Sequence, residues 1–297
     1  MFQNLSIIAK VTWPFEIIYA TRFALSMKFL DWFRNKSDVQ VDEPSIDWTQ
    51  SGFEALDQVS AEDIFLVGYP KSGNTWMQNL VAGLQFGIDT RYLTDKLTQL
   101  IIPDVHGFGA FKRLGTCTCF KSHFLPRPEY RRVIYIVRDG RDAMISYYHM
   151  RNAESKEPVS LERMIVDGEG LFPCKWHQHV EQWNANPFNA DMLIVHYEDL
   201  HSDPLQQMKR ICQFMGLERD DELIQRCIDG NSFAMMQKKE KEFGWDNPDW
   251  NPEHSFVRKG KVGGYKDDFP EDLVLKFESE ASEQLLAYGY SLSETKA

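Results

Sequence analysis

The stretch YPKSGNTW, residues 69–76, nearly matches the phosphate-binding loop of nucleotide triphosphatases, which reads G-x-x-x-x-G-K-[ST]. Gly73 lies five residues after another glycine, as that motif requires, and Thr75 has its expected position. Asn74 stands where the motif has lysine, and Lys71 lies inside the loop instead. The stretch predicts a phosphate-binding loop whose cation is placed differently. The alternative is a plain connection between a strand and a helix.

Short β-branched runs alternate with helical patterns after residue 60. Strands are predicted at DIFLVG, TCTCF, RVIYIV and DMLIVHY, residues 63–68, 116–120, 132–137 and 191–197. Helices are predicted after the first strand, after the third, and at residues 176–183, where apolar side chains recur at helical spacing. This alternation predicts an α/β fold, a single domain with a central parallel sheet flanked by helices.

Polar side chains mark the end of each predicted strand. Lys71 follows the first strand, Lys121 and His123 follow the second, Arg138 follows the third, and Tyr197 ends the fourth. Open α/β sheets bind ligands at the carboxyl ends of their strands, so we expect these side chains to meet at one edge. A histidine beside a lysine is suited to general base catalysis there. A hydrogen-bonded structural histidine is the alternative.

The connections after the first and third strands both have features of anion sites. In the first, Gly73 lets backbone N–H groups approach an anion, the next helix directs its N-terminal N–H groups at it, and Lys71 is a mobile cation. In the connection after the third strand, Gly140 permits a tight turn, and Arg138 with Ser146 predicts a second phosphate site. The alternative is a solvated surface on which arginines pair with neighbouring aspartates.

The segment RKGKVGGYK, residues 258–266, is unusual in an acidic protein because it combines three lysines, one arginine and three glycines. We name it the closing segment, because it predicts a mobile loop whose side chains and N–H groups close over an anion. An exposed surface loop is the alternative interpretation.

Composition excludes several classes of function. Of 297 residues, 43% are hydrophobic and 26% charged, as in ordinary soluble globular proteins, and the net charge of −11 argues against a general nucleic-acid binder. Five cysteines without regular spacing predict free thiols in a reducing compartment. No uncharged apolar run is long enough to span a bilayer. No metal is predicted, since Cys117, Cys119 and His123 form only a weak candidate site.

Residues 1–44 are predicted to form an apolar leader and connector, and residues 45–297 the main domain. Residues 15–34 are apolar and aromatic, but charges interrupt them every few residues, unlike a signal peptide. Two interpretations of residues 1–34 stay open: a helix packed on the domain, or an interfacial helix on a membrane. We expect a cytoplasmic protein, with peripheral membrane attachment under the second interpretation.

Taken in order, YPKSGNTW, KSH, VRDGRDAMISYYH and RKGKVGGYK resemble the signature segments of the cytosolic sulfotransferase family, and the resemblance covers about residues 45–293. It implies a P-loop-like, nucleotide-kinase-like fold. It also implies transfer of a sulfuryl group from 3′-phosphoadenylyl sulfate (PAPS) to a hydroxyl or amine of a small-molecule acceptor, with 3′-phosphoadenosine 5′-phosphate (PAP) as product. This donor carries a 5′-phosphosulfate and a separate 3′-phosphate, so it needs two phosphate sites and no lysine for a γ-phosphate.

The resemblance also implies roles for individual residues. His123 matches the catalytic base and Lys121 the lysine near the transferred group. Lys71 is placed to neutralise charge on the departing nucleotide, and Ser146 joins these three as a catalytic candidate. The donor is expected to contact Lys71, Ser72, Gly73, Asn74, Thr75 and Trp76 at the phosphosulfate, Arg138, Ser146, Arg258, Lys259 and Gly260 at the 3′-phosphate, and Trp76, Tyr197, Asn231, Ser232 and Phe233 at the adenine.

The chain departs from the family pattern at several positions. Asn74 and Asn231 stand where threonines are usual, and Tyr265 replaces a tryptophan. The dimerisation pattern K-x-x-x-T-V-x-x-x-E does not follow at Lys266, so dimerisation by that route is in doubt and the oligomeric state is left open.

Two other functions fit part of the sequence. A P-loop nucleotide kinase would need the missing loop lysine and an aspartate for magnesium. A catalytically inactive nucleotide-binding scaffold would have no use for both His123 and Lys71. The identity of the acceptor is open, and its pocket is expected in the variable loops at residues 91–113, 150–175 and 238–257.

Overall fold

A computed structural model describes residues 52–293, except residues 57, 108, 116, 246 and 248. The predicted leader at residues 1–44, including the stretch considered for membrane contact, lies outside the described residues. Four parallel strands form the central sheet in the order β4-β2-β5-β6. They are β2 (Ile64–Gly68), β4 (Cys119–Ser122), β5 (Arg132–Val137) and β6 (Asp191–His196). A short antiparallel pair joins β1 (Glu54–Ala55) to β3 (Ala110–Phe111).

Helices follow the strands and cover both faces of the sheet, which confirms the predicted parallel α/β fold. A 3-10 turn spans Thr90–Tyr92. The helices are α1 (Asn74–Phe86), α2 (Asp95–Ile101), α3 (Gly140–Glu154), α4 (Leu161–Val166), α5 (Trp176–Ala185), α6 (Tyr197–Ser202), α7 (Pro204–Met215), α8 (Asp221–Gly230), α9 (Phe233–Phe243), α10 (Tyr265–Asp268) and α11 (Glu271–Ala287).

The sheet separates two hydrophobic cores, and successive residues of β2 alternate between them. Phe65 and Val67 pack toward α3, α5 and α11, where Trp176 and Trp183 are fully buried. The alternate positions of the strand pack toward α1, α7 and α8. Burial on both faces explains why the central strands are continuous apolar runs rather than alternating ones.

The predicted strands are confirmed, with two changes at their ends. β4 begins at Cys119 and includes Lys121, whereas the prediction ended the strand before this lysine. Thr118 N–H donates to Asp63 Oδ1 at 2.8 Å, so regular β4 geometry begins after this contact. Tyr197 does not end a strand but begins α6, directly after β6.

Gly140 was predicted to permit a tight turn, and only two residues separate the end of β5 at Val137 from the start of α3 at Gly140. The residue does not adopt the left-handed conformation. A Cβ atom there would lie 2.5 Å from the Trp176 ring and 2.7 Å from the Phe277 ring. Gly140 therefore lets the start of α3 approach α5 and α11 closely.

Candidate active site

The loop between β2 and α1 bends at two residues in left-handed conformation. Gly73 has φ 101°, and a Cβ atom there would lie 2.7 Å from the Tyr197 ring. Lys71 has φ 69°, a conformation that residues other than glycine rarely adopt outside turns and functional sites. No side chain caps the N-terminus of α1. An anion in the loop would therefore meet N–H groups at the positive end of the helix dipole.

The other side chains of this loop differ in how they are satisfied. Ser72 is buried, and its Oγ lacks a hydrogen-bond partner among the described residues. Asn74 Nδ2 donates to Tyr69 O at 2.9 Å, so the residue in the lysine position of the motif holds the loop backbone. Thr75 is half-buried in the first turn of α1. The hydroxyl of Ser72 is a buried donor that a phosphate oxygen would satisfy.

The ammonium group of Lys71 lies over an aromatic ring that the sequence analysis did not single out. Its Nζ is 3.7 Å from the centroid of Phe256. Burial lowers the pKa of Lys71 to about 7. Glu154 opposes this shift, and the cations of Arg138 and Lys121 add to it. Lys71 is thus a cation whose protonation responds to an approaching anion.

Arg138 connects the loop to the closing segment. Its Nη1 donates to Lys71 O at 3.0 Å and its Nη2 to Lys261 O at 3.2 Å. The same Nη2 lies 3.9 Å from Asp142 Oδ2. Arg138 is buried, and its Nε has no partner among the described residues. The alternative of a solvated surface pair is therefore wrong for this arginine, which keeps a buried donor for a ligand.

Arg141 forms the ion pair with aspartate that the surface alternative expected, but in the interior. Its Nη2 lies 2.6 Å from Asp139 Oδ2, and its Nη1 lies 2.6 Å from Glu278 Oε1. Asp139 also caps α3 by accepting from the Arg141 N–H. The N-terminus of α3 is therefore satisfied by a carboxylate of the protein itself, unlike that of α1.

One face of α3 is turned toward the closing segment. Asp142 Oδ1 accepts from the Tyr265 N–H at 2.7 Å, and two turns later His149 Nε2 lies 3.7 Å from Asp268 Oδ2. Ser146 is half-buried and lies between Asp142 and His149 on that face, because positions four and three residues apart are neighbours on a helix. The fold thus places Ser146 on the side of α3 that the closing segment covers.

Two cations of the closing segment converge on one carboxylate. Asp268 Oδ2 lies 2.9 Å from Arg258 Nη1 and 2.7 Å from Lys259 Nζ. Hydrogen bonds from these two residues, that of Lys259 first, hold the pKa of Asp268 below its usual value. Gly260 has φ 56°, and a Cβ atom there would lie 2.4 Å from the Phe233 ring. The closing segment therefore folds around the carboxylate of Asp268 and packs against α9.

The rings expected to hold adenine lie together beside the loop. The Trp76 and Tyr197 rings meet edge to face, with centroids 5.7 Å apart, and Trp76 Nε1 donates to Asn231 O at 2.9 Å. The Asn231 side chain is buried, accepting from a threonine hydroxyl of the 3-10 turn and donating to a carbonyl of α8. Ser232 and Phe233 follow at the start of α9. The backbone carbonyl of Asn231 thus orients the Trp76 ring, while the side-chain amide of Asn231 links the 3-10 turn to α8.

Three hydrogen bonds fix His123 just beyond β4. Its Nδ1 lies 2.7 Å from Gly68 O, its N–H donates to His106 Nε2 at 2.8 Å, and its carbonyl lies 3.2 Å from His179 Nε2. A carbonyl oxygen only accepts, so the His123 proton is assigned to Nδ1, and Nε2 keeps its lone pair in the neutral ring. The main chain at Gly68 thus sets the tautomer that a base acting through Nε2 requires.

The surroundings of His123 keep its ring neutral. Burial lowers the pKa of His123 to about 3, Lys121 and His106 add to this shift, and Asp104 opposes it. Lys121 lies inside β4, and its Nζ is 2.9 Å from Asp104 Oδ2. The lysine expected near the transferred group is therefore already paired with a carboxylate.

Aromatic rings from separate loops lie next to His123 and the phosphate loop. The His106 ring is parallel to that of His123, with centroids 5.3 Å apart. It also lies 4.3 Å from Phe124 and 5.3 Å from Phe172. Phe256, over the loop lysine, stacks on a tryptophan at 3.6 Å. Each loop in which the acceptor pocket is expected contributes to this set: residues 91–113, 150–175 and 238–257.

Several residues of this site escaped the sequence analysis. Asp104 and His106 lie in a loop without any motif, and His179 lies on a helix that was predicted only from the spacing of its apolar residues. His179 is buried and lies 3.1 Å from the Tyr135 hydroxyl through Nδ1. A single histidine or aspartate has no spacing that predicts its partner. Phe256 had a usable signal, since it lies two residues before the closing segment.

In the part of the chain that the structure describes, no group of three or more histidine, cysteine, aspartate or glutamate side chains is arranged to hold a metal ion. Cys117 and Cys119, considered as ligands, are free thiols, and only Cys119 lies within β4. None of the helices within residues 52–293, outside the gaps stated above, has the length and apolarity to cross a membrane.

Comparison with known proteins gives consistent matches over most of the chain. The family model for the sulfotransferase domain matches residues 61–289. The chain is 28% identical to sulfotransferase 1B1 of Mus musculus over 237 residues, which is 71% of this chain and 79% of that protein. It is 26% identical to sulfotransferase 1C2 of Homo sapiens over 258 residues, 75% of this chain and 81% of the relative.

Solved structures with a similar fold match the described architecture. A retinol dehydratase in complex with retinol and PAP aligns with a TM-score of 0.63 at 19% identity, covering 80% of this chain and 84% of that chain. The mouse sulfotransferase SULT7A1 in complex with PAP aligns with a TM-score of 0.60 at 20% identity, covering 76% and 84%. At these identities, the structural matches establish likeness of fold.

Proposed function

The chain belongs to the sulfotransferase family, as a PAPS-dependent enzyme, and we propose how its site performs sulfuryl transfer and on which kind of acceptor. The proposal rests on the convergence of Lys71, Arg138 and His123 at one edge of the sheet. Arg138 donates a hydrogen bond to Lys71 O, and His123 Nδ1 donates one to Gly68 O at the end of β2. The half-buried Lys71 and the buried Arg138 suit a donor with two phosphate groups, and a neutral imidazole suits an acceptor that must lose a proton.

The residues present fit the two ends of PAPS. At the 5′ end, the uncapped N-terminus of α1, the buried hydroxyl of Ser72 and the ammonium of Lys71 would hold the phosphosulfate. At the 3′ end, the unpartnered Nε of Arg138, with Ser146 and the cations of the closing segment, would hold the second phosphate. Trp76, Tyr197 and Phe233 would enclose the adenine between them.

His123 would act as the general base. Its Nε2 accepts the proton of the acceptor hydroxyl as that oxygen forms its bond to sulfur. The bond between sulfur and the bridging oxygen breaks, and its electron pair stays on the 5′-phosphate of PAP. Lys71 neutralises the charge that develops on this oxygen. The products are the sulfated acceptor, PAP and a proton carried first by His123.

We propose an acceptor that presents its hydroxyl group on an apolar, ring-bearing body. Support comes from the His106 ring, which stacks on that of His123, and from the rings of Phe124 and Phe172, which pack against His106. Apolar rings favour burial of an apolar acceptor, and the few polar groups fix its orientation. Structures of a retinol dehydratase, which has a similar fold, contain retinol or androsterone together with PAP, and both compounds are apolar ring alcohols. Amines remain in the test because acidic side chains, including Glu154, lie near Lys71.

A PAPS-dependent screen tests this proposal. Phenols, apolar alcohols, amines and sugars are incubated with the protein and PAPS, and mass spectrometry detects products heavier by one sulfuryl group. We expect phenols and apolar ring alcohols to react and sugars to remain unchanged. Turnover of sugars alone would contradict the proposed acceptor class, and absence of any PAPS-dependent product would contradict the mechanism.

No specific observation favours the two alternative functions. The position that carries lysine in a P-loop kinase holds Asn74, whose amide donates to the loop backbone. An inactive scaffold would bind PAP without producing a sulfated acceptor, so the screen also separates this alternative from the enzyme.

We also propose that residues 1–44 are a leader and connector, that residues 45–297 form the catalytic domain, and that the protein is cytoplasmic. Contact of residues 1–34 with a membrane is supported by their sequence, which is apolar and locally basic, since each basic residue near an anionic surface contributes about 1 kcal/mol. Deletion of residues 1–34 tests this. Loss of binding to anionic liposomes at an unchanged melting temperature would support the contact, and a fall in melting temperature would contradict it.

A further inference from the structure

Resting on the proposed sulfuryl transfer, we propose that Asp104 is a positioning residue of the reaction. It holds the Lys121 ammonium in place and offsets its charge next to His123. Neither motif nor family resemblance assigned a role to this aspartate, which lies in one of the loops expected to form the acceptor pocket.

Asp104 is held on both of its carboxylate oxygens. Oδ2 lies 2.9 Å from Lys121 Nζ, and Oδ1 accepts from the His106 N–H at 3.0 Å. The side chains of Asp104 and Lys121 are only 14% and 12% exposed. Main-chain hydrogen bonds also align the Asp104 loop with β4, because Lys121 N–H donates to Pro103 O and Lys121 O accepts from Val105 N–H. The carboxylate is therefore fixed before any ligand binds.

The contacts of Asp104 reach His123 by two routes. Through Oδ1, Asp104 orders the backbone of His106, whose Nε2 accepts from the His123 N–H and whose ring is parallel to the His123 ring. Through Oδ2, it fixes the ammonium of Lys121, two residues before His123 in the chain. Both neighbours of the proposed base thus depend on the same carboxylate.

The charge of Asp104 matters as much as its position. Although burial opposes ionisation, Lys121 and the two histidines hold the pKa of Asp104 well below its usual range, so this carboxylate is ionised. Lys121 and His106 make His123 a weaker base, and Asp104 opposes them. Without the carboxylate, the ammonium would act on His123 unopposed and would be free to leave its position.

A fold-only role for the pair is the competing explanation. A buried ion pair is weak support for stability, because the desolvation of both charges offsets their attraction. If Asp104 served only the fold, its replacement would lower the melting temperature and affect turnover to the same degree whether or not Lys121 is present. If it acts through the lysine charge, the two changes are coupled.

A double-mutant cycle tests the inference on the full chain. We expect Asp104→Asn to lower kcat about 10- to 100-fold, in the range for loss of one partner of a coupled buried pair, with Kd for PAP within about twofold of wild type. In a Lys121→Met background, the same change is expected to cost roughly threefold or less, because the unbalanced charge is gone. Asp104→Glu should recover part of the lost turnover by restoring the charge.

The matched control is Asp221→Asn, which breaks an exposed pair with Lys209 at 2.8 Å and should leave kcat unchanged. Additive losses in the two backgrounds, or an Asp104→Asn protein with wild-type kcat, would overturn the inference and leave the proposed function intact. A wild type that transfers no sulfuryl group would overturn the proposed function instead. In that case, crystal structures with PAP still decide the positioning role: if Lys121 Nζ keeps its place in Asp104→Asn, Asp104 does not position it.

Discussion

The proposed donor side of the site, at Lys71 and Arg138, is held by main-chain contacts and buried charge, whereas the proposed acceptor side, at His106, Phe124 and Phe172, is lined by rings that contact one another. On the donor side, Arg138 donates to the backbone of both the phosphate loop and the closing segment. On the acceptor side, His106, Phe124 and Phe172 meet at centroid distances of 4.3 to 5.7 Å. Hydrogen bonds to a fixed backbone tolerate few substitutions, while ring packing accepts many.

This difference implies two kinds of mutational effect. Donor-side changes should act on nucleotide affinity, and acceptor-side changes on the acceptor KM. His123 lies at the boundary, because Gly68 O of the donor side fixes its tautomer and His106 of the acceptor side contacts its ring.

The largest effect is expected at this boundary. His123→Ala should lower kcat by roughly 10²–10⁴, the usual contribution of a general base, and leave Kd for PAP within about twofold, because the phosphate contacts are intact. Steady-state kinetics and calorimetry measure the two quantities, with His177→Ala as the control. Near-normal turnover of His123→Ala at neutral pH would show that His123 has a structural role and is not the general base between the two sides.

The next largest effect tests the proposed donor side through the choice of nucleotide, without a mutation. PAP should bind at least about 100-fold more tightly than AMP, since two charge-assisted contacts to the 3′-phosphate contribute about 1.5–3 kcal/mol each. Adenosine 2′,5′-bisphosphate is the matched control, with the same charge at a different position, and it should bind more weakly than PAP. Equal calorimetric affinities for PAP and AMP would rule out a second phosphate site.

Protonation of Lys71 gives a third test. Burial lowers its pKa to about 7 in the free protein, and a bound phosphate favours the charged form. Binding of PAP at pH 8 should therefore take up a proton, and affinity should fall about tenfold from pH 6 to pH 8. Calorimetry in buffers of different ionisation enthalpy measures the uptake.

Lys71→Met should abolish this uptake. Lys239→Met is the control, because burial also lowers the pKa of Lys239, to about 8, at a position outside the phosphate loop. If proton uptake persists in Lys71→Met and disappears in Lys239→Met, Lys239 rather than Lys71 is the group that becomes protonated, and the prediction is wrong.

Two glycines of the closing segment offer a matched pair. Gly260 and Gly263 have φ of 56° and 70°, but a Cβ atom at Gly260 would lie 2.4 Å from Phe233, whereas nothing lies within 4 Å of one at Gly263. Alanine strains the backbone similarly at both, by about 1–2 kcal/mol. Gly260→Ala should therefore weaken PAP binding about fivefold more than Gly263→Ala. Equal affinities of the two variants would show that the contact with Phe233 does not shape the nucleotide site.

The smallest effect is expected on the acceptor side. Phe172→Leu keeps an apolar side chain but removes a ring beside His106, so the acceptor KM should rise about two- to fivefold while Kd for PAP stays constant. Leu292→Ala, at an exposed position near the carboxyl end, is the control. A change in PAP affinity instead of acceptor KM would remove the distinction between the two sides.

The same distinction explains what could be predicted from the sequence. The strands, their parallel direction and the convergence of Lys71, His123 and Arg138 follow from apolar runs and from the residues after them, because these signals are local. The partners of these residues could not be predicted. Asp104 reaches Lys121 across 17 positions of chain, and Asp268 reaches Arg258 across ten, without any spacing rule. At Gly140, the close approach of Trp176 and Phe277 likewise could not be predicted from the local sequence.

The carboxylate of Asp268 has a consequence for the rate at which product leaves. In the protein alone it is the counter-ion of both Arg258 and Lys259. If the 3′-phosphate binds these cations as proposed, it would exchange one anion for another, and the displaced carboxylate would cancel part of the attraction. On departure of PAP, the same carboxylate would re-form its contacts as the phosphate withdraws. This exchange would shorten the residence time of PAP and so favour release of the product before the next cycle.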